Sequence, residues 1–119
     1  MKKFLAIYLV SEASMVDWKK LGEKEKKEIE KMGMEKWMKW SKKNAKWITD
    51  HGAPLGKTMR INTLGVSNTK NNLGAYTIVQ AKSLDEAAKL FESHPHFTMF
   101  PGESVEVIEC LPMPEMPKM

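Results

Sequence analysis

Residues 3–10 form a short run that is apolar on both of its faces. Side chains alternate along an extended chain, so Phe4, Ala6, Tyr8 and Val10 line one face and Leu5, Ile7 and Leu9 the other. A strand of that kind belongs in the middle of a sheet and needs cover on both sides. Any fold for this chain must supply those two covers. The chain has 119 residues, which is enough for one domain with its own core. It reads as a single domain over 1–119, with 113–119 an extended tail spaced by prolines.

After the first strand, Asp17 is expected to cap a short helical turn carrying Trp18 and Leu21. Glu23 to Asp50 then reads as one long helix, proline-free, with apolar residues at helical spacing and Gly33 as a bend or close contact. Trp40 and Trp47 are seven residues apart, two turns less about 20°, and so share a face of that helix, flanked by Trp37. His51-Gly52 is placed as its cap. Gly56–Thr63 and Leu73–Ala81 read as strands separated by the polar, turn-prone Ser67–Asn72. Ser83-Leu-Asp-Glu86 is a capping box opening a second helix, with Leu84, Ala87, Ala88 and Phe91 as its buried stripe. That helix ends near Ser93, ahead of Pro95, and Pro101-Gly102 turns the chain into a last strand from Ser104 to Leu111.

Strand, helix, strand, strand, helix, strand is the split βαβ order of an α+β, ferredoxin-like βαββαβ fold with a four-stranded antiparallel sheet. Its helices cover one sheet face. The simplest cover for the other is a second copy, which gives a homodimer, a dimeric α+β barrel.

Net charge is +4 but uneven: Lys19 to Lys46 holds eleven lysines and five glutamates, leaving the rest of the chain at −2. Lysine without arginine lacks the bidentate fork suited to bases and phosphates, so a solvated helix face is expected and no nucleic-acid partner. The apolar start ends at Ser11-Glu12, short for a signal core and without a cleavage site, and no run reaches membrane-spanning length. A single cysteine, Cys110, fits a reducing compartment and is expected to be a small buried hydrophobe. The expectation is a cytoplasmic protein with no membrane partner.

Several stretches resemble a known family: Gly52-Ala-Pro-Leu-Gly-Lys-Thr58, Leu73-Gly-Ala-Tyr-Thr-Ile-Val79, Ser83-Leu-Asp-Glu-Ala-Ala88, Ser93-His-Pro-His-Phe97 and Ser104-Val-Glu-Val-Ile-Glu109. Together they are similar to the YCII-related family, whose relatives include DGPF-type domains, over most of the chain from Lys3 to Pro112. The resemblance implies a dimeric α+β barrel with a cleft between sheet and helices, and for most of the family no assigned activity. One branch pairs a histidine on the first helix with an aspartate in an Asp-Pro pair after the second. Here His94-Pro95 stands at the Asp-Pro position and Lys36 or Trp37 where that histidine would be, so the pair is not carried over.

The candidate chemistry centres on His94 and His96, which titrate near neutral pH and flank a proline. They are candidate acid and base; the alternative is that one caps helix carbonyls and the other packs. Trp37, Tyr8 and Tyr76 are candidate pocket walls, or ordinary core rings. Arg60 and Asn71 are candidate ligand contacts, though Lys57 and Arg60 face opposite ways on a regular strand and Asn71 is also a turn former. No metal spacing, phosphate loop or cofactor motif is present, so no metal or cofactor is expected. Two readings follow. The chain binds a small, anionic molecule in a cleft and moves protons on it in isomerase- or lyase-like chemistry, or it is a non-catalytic ligand-binding or regulatory dimer.

Overall fold

In a computed structural model, residues 1–97 and 102–114 are described. The doubly apolar first strand, β1 (Lys2–Val10), lies in the interior of a four-stranded antiparallel sheet. It is flanked by β5 (Leu73–Ala81) and β6 (Gly102–Cys110), and the outer partner of β5 is β2 (Ile48–Asp50). The order β2-β5-β1-β6 is the ferredoxin-like arrangement expected from the element order. Phe4, Ala6 and Tyr8 pair with Val79, Thr77 and Ala75 on the face that the helices cover. There they join Trp40, Ala87 and Phe91 in the core. On the other face Leu5 pairs with Ile78 and Ile108, and Ile7 with Tyr76 and Glu106. These β1 side chains are half-buried and Ile108 is exposed, so among the described residues that face has no second cover.

Among the described residues the α-helices are α1 (Glu12–Lys19) and α2 (Glu23–Lys43), after β1, and α3 (Leu84–Lys89), after β5. Ser11, not Asp17, caps α1, its hydroxyl accepting from the Ser14 amide at 3.0 Å. Asp17 lies inside that helix. Ser83 caps α3 as the capping box predicts, accepting from the Glu86 amide at 3.2 Å. The buried stripe of α3 is narrower than expected: Ala87 and Phe91 are buried, while Leu84 and Ala88 stand in solvent. Cys110 is exposed rather than buried, because it ends the edge strand β6 opposite Lys3.

The long helix ends seven residues early. Asn44 turns its side chain back to donate to the Trp40 carbonyl at 2.9 Å, closing the last turn. The chain then leaves for the sheet edge, where the Gln80 amide donates to the Trp47 carbonyl at 2.7 Å. Trp47 therefore does not share a helical face with Trp40; it sits beyond the helix with the Lys46 ammonium 5.1 Å from its ring. The sheet's second strand is the three-residue β2 and not Gly56–Thr63. That stretch, as β3 (Thr58–Asn62), pairs with β4 (Gly65–Thr69) in a separate two-stranded sheet. Its turn is built by Asn62, whose side chain accepts from the Leu64 amide at 2.9 Å, and by Gly65 at φ +114°. Among the described residues no helix is long and apolar enough to cross a membrane. Pro101, of the expected turn, and residues 115–119 of the tail lie outside the described residues.

Candidate functional site

Between α2 and the sheet lies a cleft of about 720 Å³. One helical face, Met34, Trp37, Met38 and Ser41, supplies a wall, and Lys42 lies beside it. The floor comes from the end of β1 and the 3-10 turn Pro95–Phe97, through Tyr8, Val10 and His96. The far side is the loop His51-Gly52-Ala53-Pro54 against Gly74 and Ala75 of β5.

Gly52 makes that last contact possible. It has φ +74°, and a Cβ there would fall 1.7 Å from the Tyr76 carbonyl oxygen. The Asp50 side chain holds the turn by accepting from the Gly52 amide at 2.8 Å, and Leu55 donates to the Gly74 carbonyl at 2.9 Å. The left-handed glycine was expected at a helix end and instead terminates β2.

Behind the cleft, His94 is fully buried in a box of rings. Trp37 and Trp40 meet it edge-on at 4.2 and 4.4 Å between centroids, and Tyr8 lies at 4.9 Å. Trp40 is itself anchored by its indole N–H donating to the Leu90 carbonyl at 2.8 Å. The His96 amide donates to His94 Nδ1 at 3.0 Å. That nitrogen must carry a lone pair, so the single proton of the neutral ring sits on Nε2 and points at the Tyr8 hydroxyl, 3.4 Å away. The Thr77 hydroxyl donates to the His51 carbonyl at 3.2 Å, which leaves Thr77 Oγ1 to accept from Tyr8 at 2.9 Å. The donors run one way, from the 3-10 turn through β1 and β5 to the loop after β2.

Electrostatics follow from burial. Burial, with a smaller contribution from the neighbouring His96, pushes His94 down to about 3. Burial also lowers His96, opposed by backbone hydrogen bonds at Leu9 and Ser104. His96 Nε2 donates to the Leu9 carbonyl at 2.9 Å, beside the point where the β1–β6 register shifts. The Tyr8 hydroxyl is driven well above the usual phenol range by burial, with the Thr77 hydrogen bond opposing. Among the described residues no buried side-chain nitrogen or oxygen lacks a hydrogen-bond partner, and no three His, Cys, Asp or Glu side chains gather as a metal site.

The structure thus brings Trp37, Tyr8 and His96 to one cleft, which the backbone around Tyr76 borders, and places His94 behind it. Tyr76 pairs with Ile7 and so belongs to the sheet face opposite Tyr8. Arg60 is exposed on β3, paired with Ser67 and away from the cleft. Asn71 forms a turn, accepting from the Leu73 amide at 3.1 Å and donating to the Thr58 hydroxyl at 3.1 Å. Sequence reasoning did not select Met34, Met38, Ser41 and Lys42 for the cleft. Met34 and Ser41 lie three before and four after Trp37, and Met38 and Lys42 four and eight after Met34, the spacings that mark one side of a helix.

No protein-family model matches the sequence, and no curated protein matches it. Among solved structures, the chain is similar to 5-chloro-2-hydroxyhydroquinone dehydrochlorinase from Burkholderia phenoliruptrix AC1100, solved in complex with 2,5-dihydroxybenzoquinone. The likeness has a TM-score of 0.51 at 16% identity and covers 88% of this chain and 89% of that one. It is a likeness of fold, and it joins this chain's ferredoxin-like architecture to that of a known small protein.

Proposed function

We propose that residues 1–119 form one YCII-related domain that acts as a two-fold dimer and binds a small, largely apolar molecule in the cleft beside α2. The observation that carries this reading is the cleft's make-up: about 720 Å³ walled by Trp37, Met34 and Met38, with few polar groups. That volume and lining suit a ring-sized compound oriented by one or two polar contacts. Among the described residues, Lys42 is the lysine at the cleft that can meet an anionic substituent. The similar dehydrochlorinase was solved with a quinone, and by that likeness quinones and phenols are the first class to offer. The half-apolar outer sheet face supports the dimer, and the lone cysteine fits the cytoplasm.

Binding is favoured over catalysis because both histidines already have partners. His94 accepts from a backbone amide, and His96 donates to the Leu9 carbonyl. Proton-transfer, lyase-like chemistry is the second reading, favoured by Tyr8 and His96 lying on the cleft floor. The test is native mass spectrometry and tryptophan fluorescence with quinones, phenols, benzoates and aliphatic carboxylates. Binding should quench Trp37 and the quench should vanish in Trp37→Phe. Lys42→Ala should weaken anionic ligands about tenfold, which is about 1.4 kcal/mol. If no compound binds above millimolar affinity, the reading fails. Turnover of a bound compound that is lost in His96→Gln while binding persists would select the catalytic reading.

A further inference from the structure

The hairpin β3–β4 stands apart from the main sheet, tied to it at its base by the Pro54–Ala75 bridge and the Asn71–Thr58 hydrogen bond. A two-stranded ribbon alone is marginal in water. This one carries an apolar face: Ile61 pairs with Val66 and Met59 with Asn68, which puts the three apolar side chains on one side. Ile61 is 73% exposed, and Leu64 at the tip is 95% exposed. Continuing the alternation places Lys57 and Lys70 on the same side, at the base, while Arg60 faces away. Residues 57–70 contain three cations and no carboxylate.

A surface of matching character exists on the same molecule. The open sheet face carries Leu5, Ile7, Ile78 and the exposed Ile108, with Glu106 beside Ile7. Edge strand β6 has no cation and turns Glu106 to that face, while Glu109, opposite Phe4, belongs to the other face and pairs with the Lys2 ammonium at 3.5 Å. Within one chain the two are badly placed for each other. The hairpin leaves beside β5 and the β2 edge, while β6 closes the opposite edge. Stacking two open faces about a two-fold axis parallel to the strands exchanges the edges, bringing the β2 side of one copy over the β6 side of the other.

We propose that the hairpin β3–β4 is a clasping arm, which lays its apolar face on the β6 side of a second copy's open sheet and its basal lysines near the partner's Glu106. This rests on the two-fold dimer proposed above and assigns the element that holds it. The arm would cover Ile61, Leu64 and Val66 twice per dimer and give the doubly apolar β1 its second cover.

Sedimentation velocity over a dilution series tests it, with near-UV circular dichroism of the buried Trp40 and half-buried Trp37 as the check on folding. Wild type should be dimeric. Ile61→Ser with Val66→Ser should raise the dissociation constant at least about tenfold with the core signal unchanged. Lys57→Glu with Lys70→Glu, and separately Glu106→Lys, should each weaken the dimer, and the three substitutions together should restore it. A wild-type monomer would overturn both the dimer and the arm. A dimer indifferent to the hairpin substitutions would overturn the arm and leave the dimer standing. Loss without restoration in the combined charge variant would overturn the docking beside β6.

Discussion

The backbone amide of His96 donates to Nδ1 of His94 at 3.0 Å, and that one bond sets the tautomer of a ring enclosed by Tyr8, Trp37 and Trp40. Because the ring is buried and its acceptor nitrogen is engaged, His94 is held neutral well below the pH at which a solvated imidazole takes a proton.

Stability should therefore depend on pH on the acid side. The unfolded chain protonates His94 near 6.5, whereas the folded chain does so only near 3. Stability is complete above pH 6.5 and falls as the pH drops towards 3, by up to about 1.4 kcal/mol per pH unit. The lowered His96 acts in the same direction. In His94→Asn, whose carbonyl oxygen can still accept from the His96 amide, the slope measured by urea unfolding between pH 7 and 4 should be shallower. Parallel slopes in the two proteins would contradict the assignment.

Tyr8→Phe removes a hydroxyl held between Thr77 and His94. The expected loss is about 1–2 kcal/mol at pH 7, since two buried partners each lose a contact. On the alkaline side the raised Tyr8 gives the opposite sign: the unfolded phenol ionises near 10 while the folded one does not, so wild-type stability should fall above pH 10. Tyr8→Phe should lack that component, and urea midpoints at pH 9 and 11 measure it.

The helix end can be tested with two tryptophans. Trp40 is buried against Phe91 and His94 and bonded to Leu90, so Trp40→Ala should cost about 3–5 kcal/mol. Trp47, beyond the helix and only half-buried, should cost about 1 kcal/mol or less. Equal losses in thermal unfolding would favour a helix that continues through both.

Gly52→Ala should be among the more damaging small substitutions. The new Cβ meets the Tyr76 carbonyl at 1.7 Å in a left-handed backbone, so the loop must move. A loss of at least about 1 kcal/mol is expected, together with a displaced cleft wall and weakened ligand binding. Gly56→Ala, with nothing within 4 Å of its Cβ, is the control and should be within about 0.5 kcal/mol of wild type.

Local patterns settled much of the fold. The alternation of residues 3–10 places β1 inside the sheet, and the Ser83–Glu86 box starts α3 at its observed residue, because both depend on neighbours within a few positions. The strand and helix order carried the ferredoxin-like topology. Trp37 lies on the helical face it shares with Met34 and Ser41, and His96 in the turn that Pro95 opens, so both positions follow from local spacing. What required the tertiary structure was the point at which local preference yields to long-range pairing. Residues 44–50 read as helix, yet Trp47 and Ile48 leave it to complete the edge beside β5, since unpaired edge groups gain hydrogen bonds there that a fraying helix end does not supply. That early exit turns Gly56–Thr63 from a sheet strand into one side of a free hairpin, carrying Arg60 away from the cleft. His94 and His96 differ for the same kind of reason. They are two residues apart and chemically identical, but one is enclosed by Trp37, Trp40 and Tyr8, which come from distant parts of the chain, and the other reaches the cleft.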